Sequence, residues 1–382
     1  MAPRSMEMND DPMAKLTDDI LAEIISRVPY KSTCCCKCVS TRWRDLISHP
    51  DHREKMPQSL AGFFSKDYSS DPLPRIARRF ANVSGKGEPL VDPWLSFLPK
   101  YENVEVLDCC NGLLLCRCWK PIDPKTLDYV VCNPATEKWV VVPATEWSSK
   151  VNVARLGFEP AVSSHFHVFE FVSASVFWKQ HEPFAYEVPC FIKVGIYSSK
   201  AGVWSQKNVP GSTCGVEVHV DSRTVFLRGT LYLSAFYGLV VAVDFEGNNW
   251  RFIPTPVTPY REDTPDSIYL SQGQLYFTRK GDSKLSIWVL EGENWTLKQS
   301  VSCLQLFGEL YSSIGKYYKV ISIHPEHDAV FMISGPEKAL ISYDMDSREL
   351  CFICQLGWDC TITSYIPYVP LFSKSLRVHL PP

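Results

Sequence analysis

Hydrophobic and polar positions follow two different rhythms along this chain, and the change comes near Asp51. Leu16, Ile20, Leu21, Ile24, Ile25 and Val28 recur at three- and four-residue spacing, which predicts a short amphipathic helix with one apolar face. Thr17 is placed to cap its N-terminus, with Asp18 and Asp19 complementing the helix dipole. Pro29 forbids a further turn, so the helix stops near Arg27. Val39, Trp43, Leu46 and Ile47 mark a second helical pattern that begins near Cys38 and ends before Pro50, with Ser32 to Lys37 bridging the two; three short helices result. So short a segment cannot build a self-sufficient core, yet it shows more apolar surface than it can cover internally, which points to a partner that supplies the rest.

Past Asp51 the pattern is that of strands. An apolar run, a turn rich in Gly, Asn, Ser or Pro, and an aromatic opening the next run recur at 128–143, 192–207, 240–254, 285–299 and, more divergently, 339–353. Trp139, Trp204, Trp250 and Trp295 mark equivalent places, with Leu350 in the last copy, and their fixed offset reads as core packing. Several copies follow another short strand, at 111–118, 229–236, 273–280 and 327–334, so each unit holds about four strands. The interval from Trp250 to Trp295 falls in the roughly 40–50-residue period of propeller blades. The expected fold is a small N-terminal all-α helix cluster followed by a large all-β domain, a β-propeller of about six blades. Residues 61–66 are expected to pair with 365–372 to close the ring. The expected boundaries are a disordered tip at 1–14, the helix cluster at 15–56 and the β domain at 57–382.

The helical segment carries a specific resemblance. Leu16, Asp18, Asp19, Ile20, Glu23, Ile24, then Arg27, Val28, Pro29, Lys31, Ser32, then Cys38, Val39, Ser40, Trp43 and Leu46 follow the order of the F-box motif in the form common in plants. That resemblance implies docking on the SKP-type adaptor of an SCF ubiquitin ligase and, through it, on cullin and RING subunits. It assigns Leu16, Ile20, Ile24, Val28, Pro29, Val39, Trp43 and Leu46 to the adaptor face or its support. The chain departs from the motif at Thr17, where the family has Pro, at Thr33 and Cys34, where it has Leu, and at Cys35, where it has a basic residue. The segments DCCNGLLLC, CNPATEKW and YIPYVP resemble the kelch-like F-box-associated domain of plant F-box proteins, over roughly 60–372.

Composition narrows the partners. The net charge of −3 gives no basic field for nucleic acid or an anionic membrane, and a protein partner is expected. Neither a leader pattern nor a long uncharged apolar stretch is present, which predicts a cytoplasmic or nuclear protein. The 15 cysteines are an odd count, read as reduced thiols. Cys34, Cys35, Cys36 and Cys38 lack the paired spacing of a zinc site, and Cys116 with Cys118, and Cys351, Cys354 and Cys360, read as fillers although Cys351 to Cys354 is formally C-x-x-C. Gly308 to Lys316 fails as a phosphate loop, and His165, His167, His324 and His327 lie outside any metalloprotease or nucleophile motif. No cofactor, metal or catalytic residue is assigned.

The leading expectation is therefore a non-catalytic substrate receptor of an SCF-type ligase. Two alternatives stay open: an adaptor-binding scaffold or inhibitor without degradation activity, kept alive by Thr33 and Cys35, and a propeller enzyme such as a glycosidase, which needs carboxylates or histidines converging at the channel. Among loops for the target protein, the insertion at 173–189 is favoured, with Phe177, Trp178, Phe184 and Tyr186 as aromatic anchors; the alternative is an extra hairpin that only packs on its own blade.

Overall fold

The computed structural model describes residues 16–372 except 29, 50–51, 53–55, 57–58, 68–78, 84–88, 100, 102, 121–125, 152, 174–189, 211–215, 219–221, 257–266, 282, 309–317, 336–337 and 357–361. The expected disordered tip at 1–14 lies outside the described residues. Contacts divide the chain into two compact units, one from Met1 to Ser59 and one from Leu60 to Leu371, with short C-terminal pieces assigned to each.

The first unit is helical. Helices α1 (Asp18–Ser26), α2 (Tyr30–Cys36) and α3 (Thr41–Ser48) enclose a core of Leu21, Ala22, Ile25, Leu46, Ile47 and Met56. Ser32 to Cys36 is thus itself helical, and α3 starts at Thr41 because Ser40 caps it, accepting from the Trp43 amide at 3.2 Å. Thr17 does occupy the N-cap of α1 but makes no side-chain cap bond.

The second unit is a six-bladed β-propeller. Strands β1 (Gly62–Asp67) and β2 (Arg79–Asn82) come first. Four four-stranded antiparallel meanders and one extended one follow, each running from the inside of the ring outward. They are β3 (Asn103–Cys110), β4 (Leu113–Trp119), β5 (Leu127–Asn133) and β6 (Lys138–Val142); then β7 (Val153–Phe158), β8 (Phe166–Ser173), β9 (Cys190–Ser198) and β10 (Val203–Asn208), with β11 (Val216–Glu217) also on β9. Next come β12 (Thr224–Leu227), β13 (Thr230–Ala235), β14 (Leu239–Asp244) and β15 (Trp250–Pro254), then β16 (Ser267–Ser271), β17 (Gln274–Lys280), β18 (Lys284–Glu291) and β19 (Asn294–Ser302). A short helix, α4 (Cys303–Phe307), precedes β20 (Tyr318–Ile323), β21 (Ala329–Ser334), β22 (Ala339–Asp344) and β23 (Leu350–Gln355). The last strand, β24 (Ile362–Tyr368), pairs with β1, Phe64 opposite Ile366, so N- and C-terminal strands share the sixth blade as the apolar pattern predicted. The inner strands β3, β7, β12, β16, β20 and β24 touch in that order and return to β3.

Burial follows from this stacking. Middle strands are covered on both faces, so β8 is buried almost throughout. The repeated tryptophans begin the outer strands, where neighbouring blades diverge. Trp204 and Trp250 are half-buried against one apolar cluster and Trp295 against another, while Trp139 stays 39% exposed, so these rings plug the blade edges instead of filling a core.

Candidate functional site

The helical unit separates its apolar residues into two sets. Leu21, Ala22 and Ile25 of α1 point into the core, whereas Ile20 and Ile24 are 50% and 45% exposed. Val39, in the turn before α3, is 63% exposed. The single apolar face read from the sequence is therefore two faces: one makes the core and the other stays uncovered within this chain. Leu46 is buried in the core, and Leu16 and Trp43 pack on its edge, so these three support the surface without forming it. Val28 is half-buried, and Pro29 lies outside the described residues.

Polar contacts fix how this surface is presented. Arg42 of α3 donates from Nε and Nη2 to Asp18 Oδ1 at 3.0 and 2.8 Å, and from Nη2 to the Leu16 carbonyl at 2.6 Å. One guanidinium thus ties the start of α3 to the start of α1. Thr33, where a Leu is expected, is buried, and its hydroxyl donates to the Val28 carbonyl at 3.0 Å, satisfying the polar group within the turn. Cys35 and Cys38 are exposed, and burial is the main cause that raises the Cys36 thiol.

The propeller places its polar chemistry at the inner strands. Asp108, at a bulge in β3, accepts from the Leu156 amide of β7 at 2.8 Å and from the Thr224 hydroxyl of β12 at 3.3 Å. Burial raises its carboxyl above the ordinary range, with the Arg155 guanidinium opposing the shift. Arg155 is itself buried and donates to the Ser222 carbonyl at 3.1 Å, while Arg223 donates to the carbonyl of Tyr365 in β24. Sequence reasoning missed this network, since an isolated Asp or Arg in a strand gives no signal of its partners. Asp108 is enclosed by these contacts, and the network binds blades together. Among the described residues no group of three or more His, Cys, Asp or Glu could hold a metal ion, and no helix is long and apolar enough to cross a membrane. His324 is held in a turn, its Nδ1 accepting from the amides of Glu326 and His327 at 3.1 Å each.

In an antiparallel meander the connections alternate between two faces. One face carries the tight turns, such as Asn111-Gly112, Arg228-Gly229 and Gln272-Gly273, where both residues take positive φ. The opposite face carries the longer connections, including those from β6 to β7, β8 to β9, β15 to β16 and β19 to β20. Phe177, Trp178, Phe184 and Tyr186 belong to the β8–β9 connection and lie outside the described residues.

Comparison with known families decides what this architecture is. Residues 91–366 match the family described as "F-box protein At3g26010-like, beta-propeller", most of the chain. The chain belongs to this family. Residues 13–55 match the F-box domain, so the helical unit is an F-box. Similar Arabidopsis thaliana proteins include F-box protein At5g07610, 25% identical over 74% of this chain and 70% of that protein. Putative F-box/kelch-repeat protein At1g15680 is 25% identical over 88% of this chain and 83% of its own length. F-box protein At3g26010 is 23% identical over 87% and 78%. As an F-box propeller protein, the chain is of the substrate-receptor type, a kind of protein that in general adapts rather than catalyses.

Proposed function

We propose that this protein is the substrate-recognition subunit of an SCF-type ubiquitin ligase, working in the cytoplasm or nucleus. The F-box holds an SKP-type adaptor, and through it cullin and RING subunits; the propeller holds the protein to be ubiquitinated. The chain contributes proximity, holding the target near the charged ubiquitin carrier, and needs no catalytic residue of its own. One observation carries the adaptor half: Ile20, Ile24 and Val39 stand exposed on a unit whose core is complete without them. Arg42 acts here as a positioning residue through Asp18 and Leu16. For the target, the β8–β9 connection with its four aromatics Phe177, Trp178, Phe184 and Tyr186 is the proposed contact, since aromatics are the usual interface anchors.

The test is an Ile20→Asp, Ile24→Asp double variant of the full chain, mixed with a purified SKP-type adaptor. Both sites are exposed, so the variant folds, while a charge in the contact removes adaptor binding by at least tenfold. Wild-type affinity in this variant would overturn the assignment of that surface. Ubiquitin transfer reconstituted with cullin and RING subunits separates a receptor, whose bound target is modified, from a scaffold, whose bound target is not.

A further inference from the structure

We propose that residues 376–380 form the fourth, outer strand of the sixth blade, paired antiparallel with β2, and that Pro381 accepts the indole N–H of Trp139.

The sixth blade is the short one. Each of the other five carries an outer strand, β6, β10, β15, β19 or β23, whereas among the described residues the sixth holds β24, β1 and β2, in that order outward. Val83 donates to the Ala61 carbonyl at 2.9 Å, so Ala81 and Val83 turn their backbone groups to β1, and Phe80 between them turns its own to the outer edge. A sheet edge of this kind is a template for an extended segment within reach. The chain that follows β2 does not take the place. Pro89, Pro93 and Pro99 interrupt residues 89–99, and Asp92 closes a turn there by accepting from the Trp94 and Ser96 amides at 2.9 and 2.6 Å.

Sequence and path both point to 376–380, which lies outside the described residues. Leu376, Val378 and Leu380 alternate with Arg377 and His379, the two-residue period of a strand with one covered face. Pro381 then follows, as Pro143 follows β6 and as Pro254 closes β15. β24 ends at the face of the tight turns, where the chain beyond it crosses the β3–β4 turn so closely that a Cβ on Gly112, at φ +85°, would meet the Leu371 Cβ at 2.5 Å. Asn133, at the end of β5, donates to the Leu371 carbonyl at 2.8 Å. The path thus leads from an inner strand toward the periphery. Five further residues reach up to about 17 Å, against roughly 14 Å from the inner to the outer strand position of a blade. β2 also ends at this face, since Asn82 opposes Gly62 and Gly62 opposes Tyr368. A segment entering here runs antiparallel to β2, as the outer strand of every other blade runs against its neighbour.

Trp139 gives an independent sign. Trp204 and Trp295 donate to Pro143 and Pro254, each at the end of the outer strand of the preceding blade. The blade that precedes Trp139 around the ring is the sixth, and no described residue accepts from its indole, which stays 39% exposed. Pro381, at the end of the proposed strand, supplies the equivalent acceptor.

The test is hydrogen exchange read by mass spectrometry on the full chain, on a chain that stops at Ser375, and on a full chain carrying Arg377→Pro and Val378→Pro. One of two consecutive amides in an edge strand faces its neighbour, so the double proline removes the pairing whichever amide makes it. Exchange at residues 79–83 should be at least about tenfold faster in both altered chains, with β3 to β23 unchanged. Trp139→Phe should speed exchange at 376–380 several-fold. Equal exchange at 79–83 in all three chains would overturn the proposal. So would protection of 79–83 that is lost on dilution, which would give the strand to a second copy of the chain. Exchange at 376–380 that is untouched by Trp139→Phe would overturn the bond to Pro381.

Discussion

Trp295 donates its indole N–H to the carbonyl of Pro254 at 2.9 Å, reaching from the outer strand of one blade to the end of the outer strand before it. Trp204 makes the same bond to Pro143 at 2.7 Å. Blades diverge outward, and a large ring with one donor fills the widening gap and anchors it. Proline suits the acceptor position because it ends the edge strand and has no N–H to leave unpaired. Trp295→Phe keeps most of the packing and removes the bond, at a cost of about 0.5–1.5 kcal/mol. The expected result is a lower urea midpoint with an unchanged slope, and the same for Trp204→Phe; unchanged midpoints would show that the bonds add nothing.

The divided apolar surface of α1 gives a second contrast. Leu46→Asp puts a carboxylate into the F-box core and costs several kcal/mol, enough to unfold those helices. Ile24→Asp, at an exposed site, leaves them intact. Limited proteolysis should cut the first variant within residues 16–56 and spare the second, with the propeller resistant in both.

Ring closure supplies a third. Phe64 is buried and meets the edges of Phe80 and Tyr368 at 5.0 and 5.5 Å between ring centres. Phe64→Ala should cost about 3–5 kcal/mol. Phe352→Ala, at a ring left 65% exposed on β23, should cost almost nothing. Thermal unfolding of the two variants measures the difference, and similar losses in both would contradict the closure by β1 and β24.

Acidification gives a fourth. Burial, with His327 adding to it, lowers His324 to about 4, and burial lowers His167 to about 4 as well. Each ring is neutral in the fold but takes a proton near pH 6.5 when unfolded. The unfolded chain therefore binds more protons between those values, and stability falls as pH drops from 6.5 to 4. His324→Gln should flatten that slope in denaturant titrations; a steeper slope would reverse the sign argued here.

The blades were legible because their outer three strands carry turn residues and a tryptophan at a repeated offset. The inner strands were not: β3 and β7 carry Asp108 and Arg155, which look like surface residues until Thr224 and Ser222 are brought beside them. The helices were legible from their period, but a period cannot say how wide a core is. Leu21 and Ile25 fill it, and Ile20 and Ile24 are left over. A repeated offset shows that the four tryptophans are equivalent but not how deep they lie.

The pairing of β1 with β24 also sets an order in time. On the ribosome β1 is made early and its inner neighbour last, so its apolar edge waits while five complete blades are synthesised. The F-box core needs nothing beyond Met56 and is finished long before. A nascent chain can therefore be engaged through its helices before it has any closed ring with which to select a target. Any mechanism that shields β1 during that interval governs how many molecules mature into selective ones.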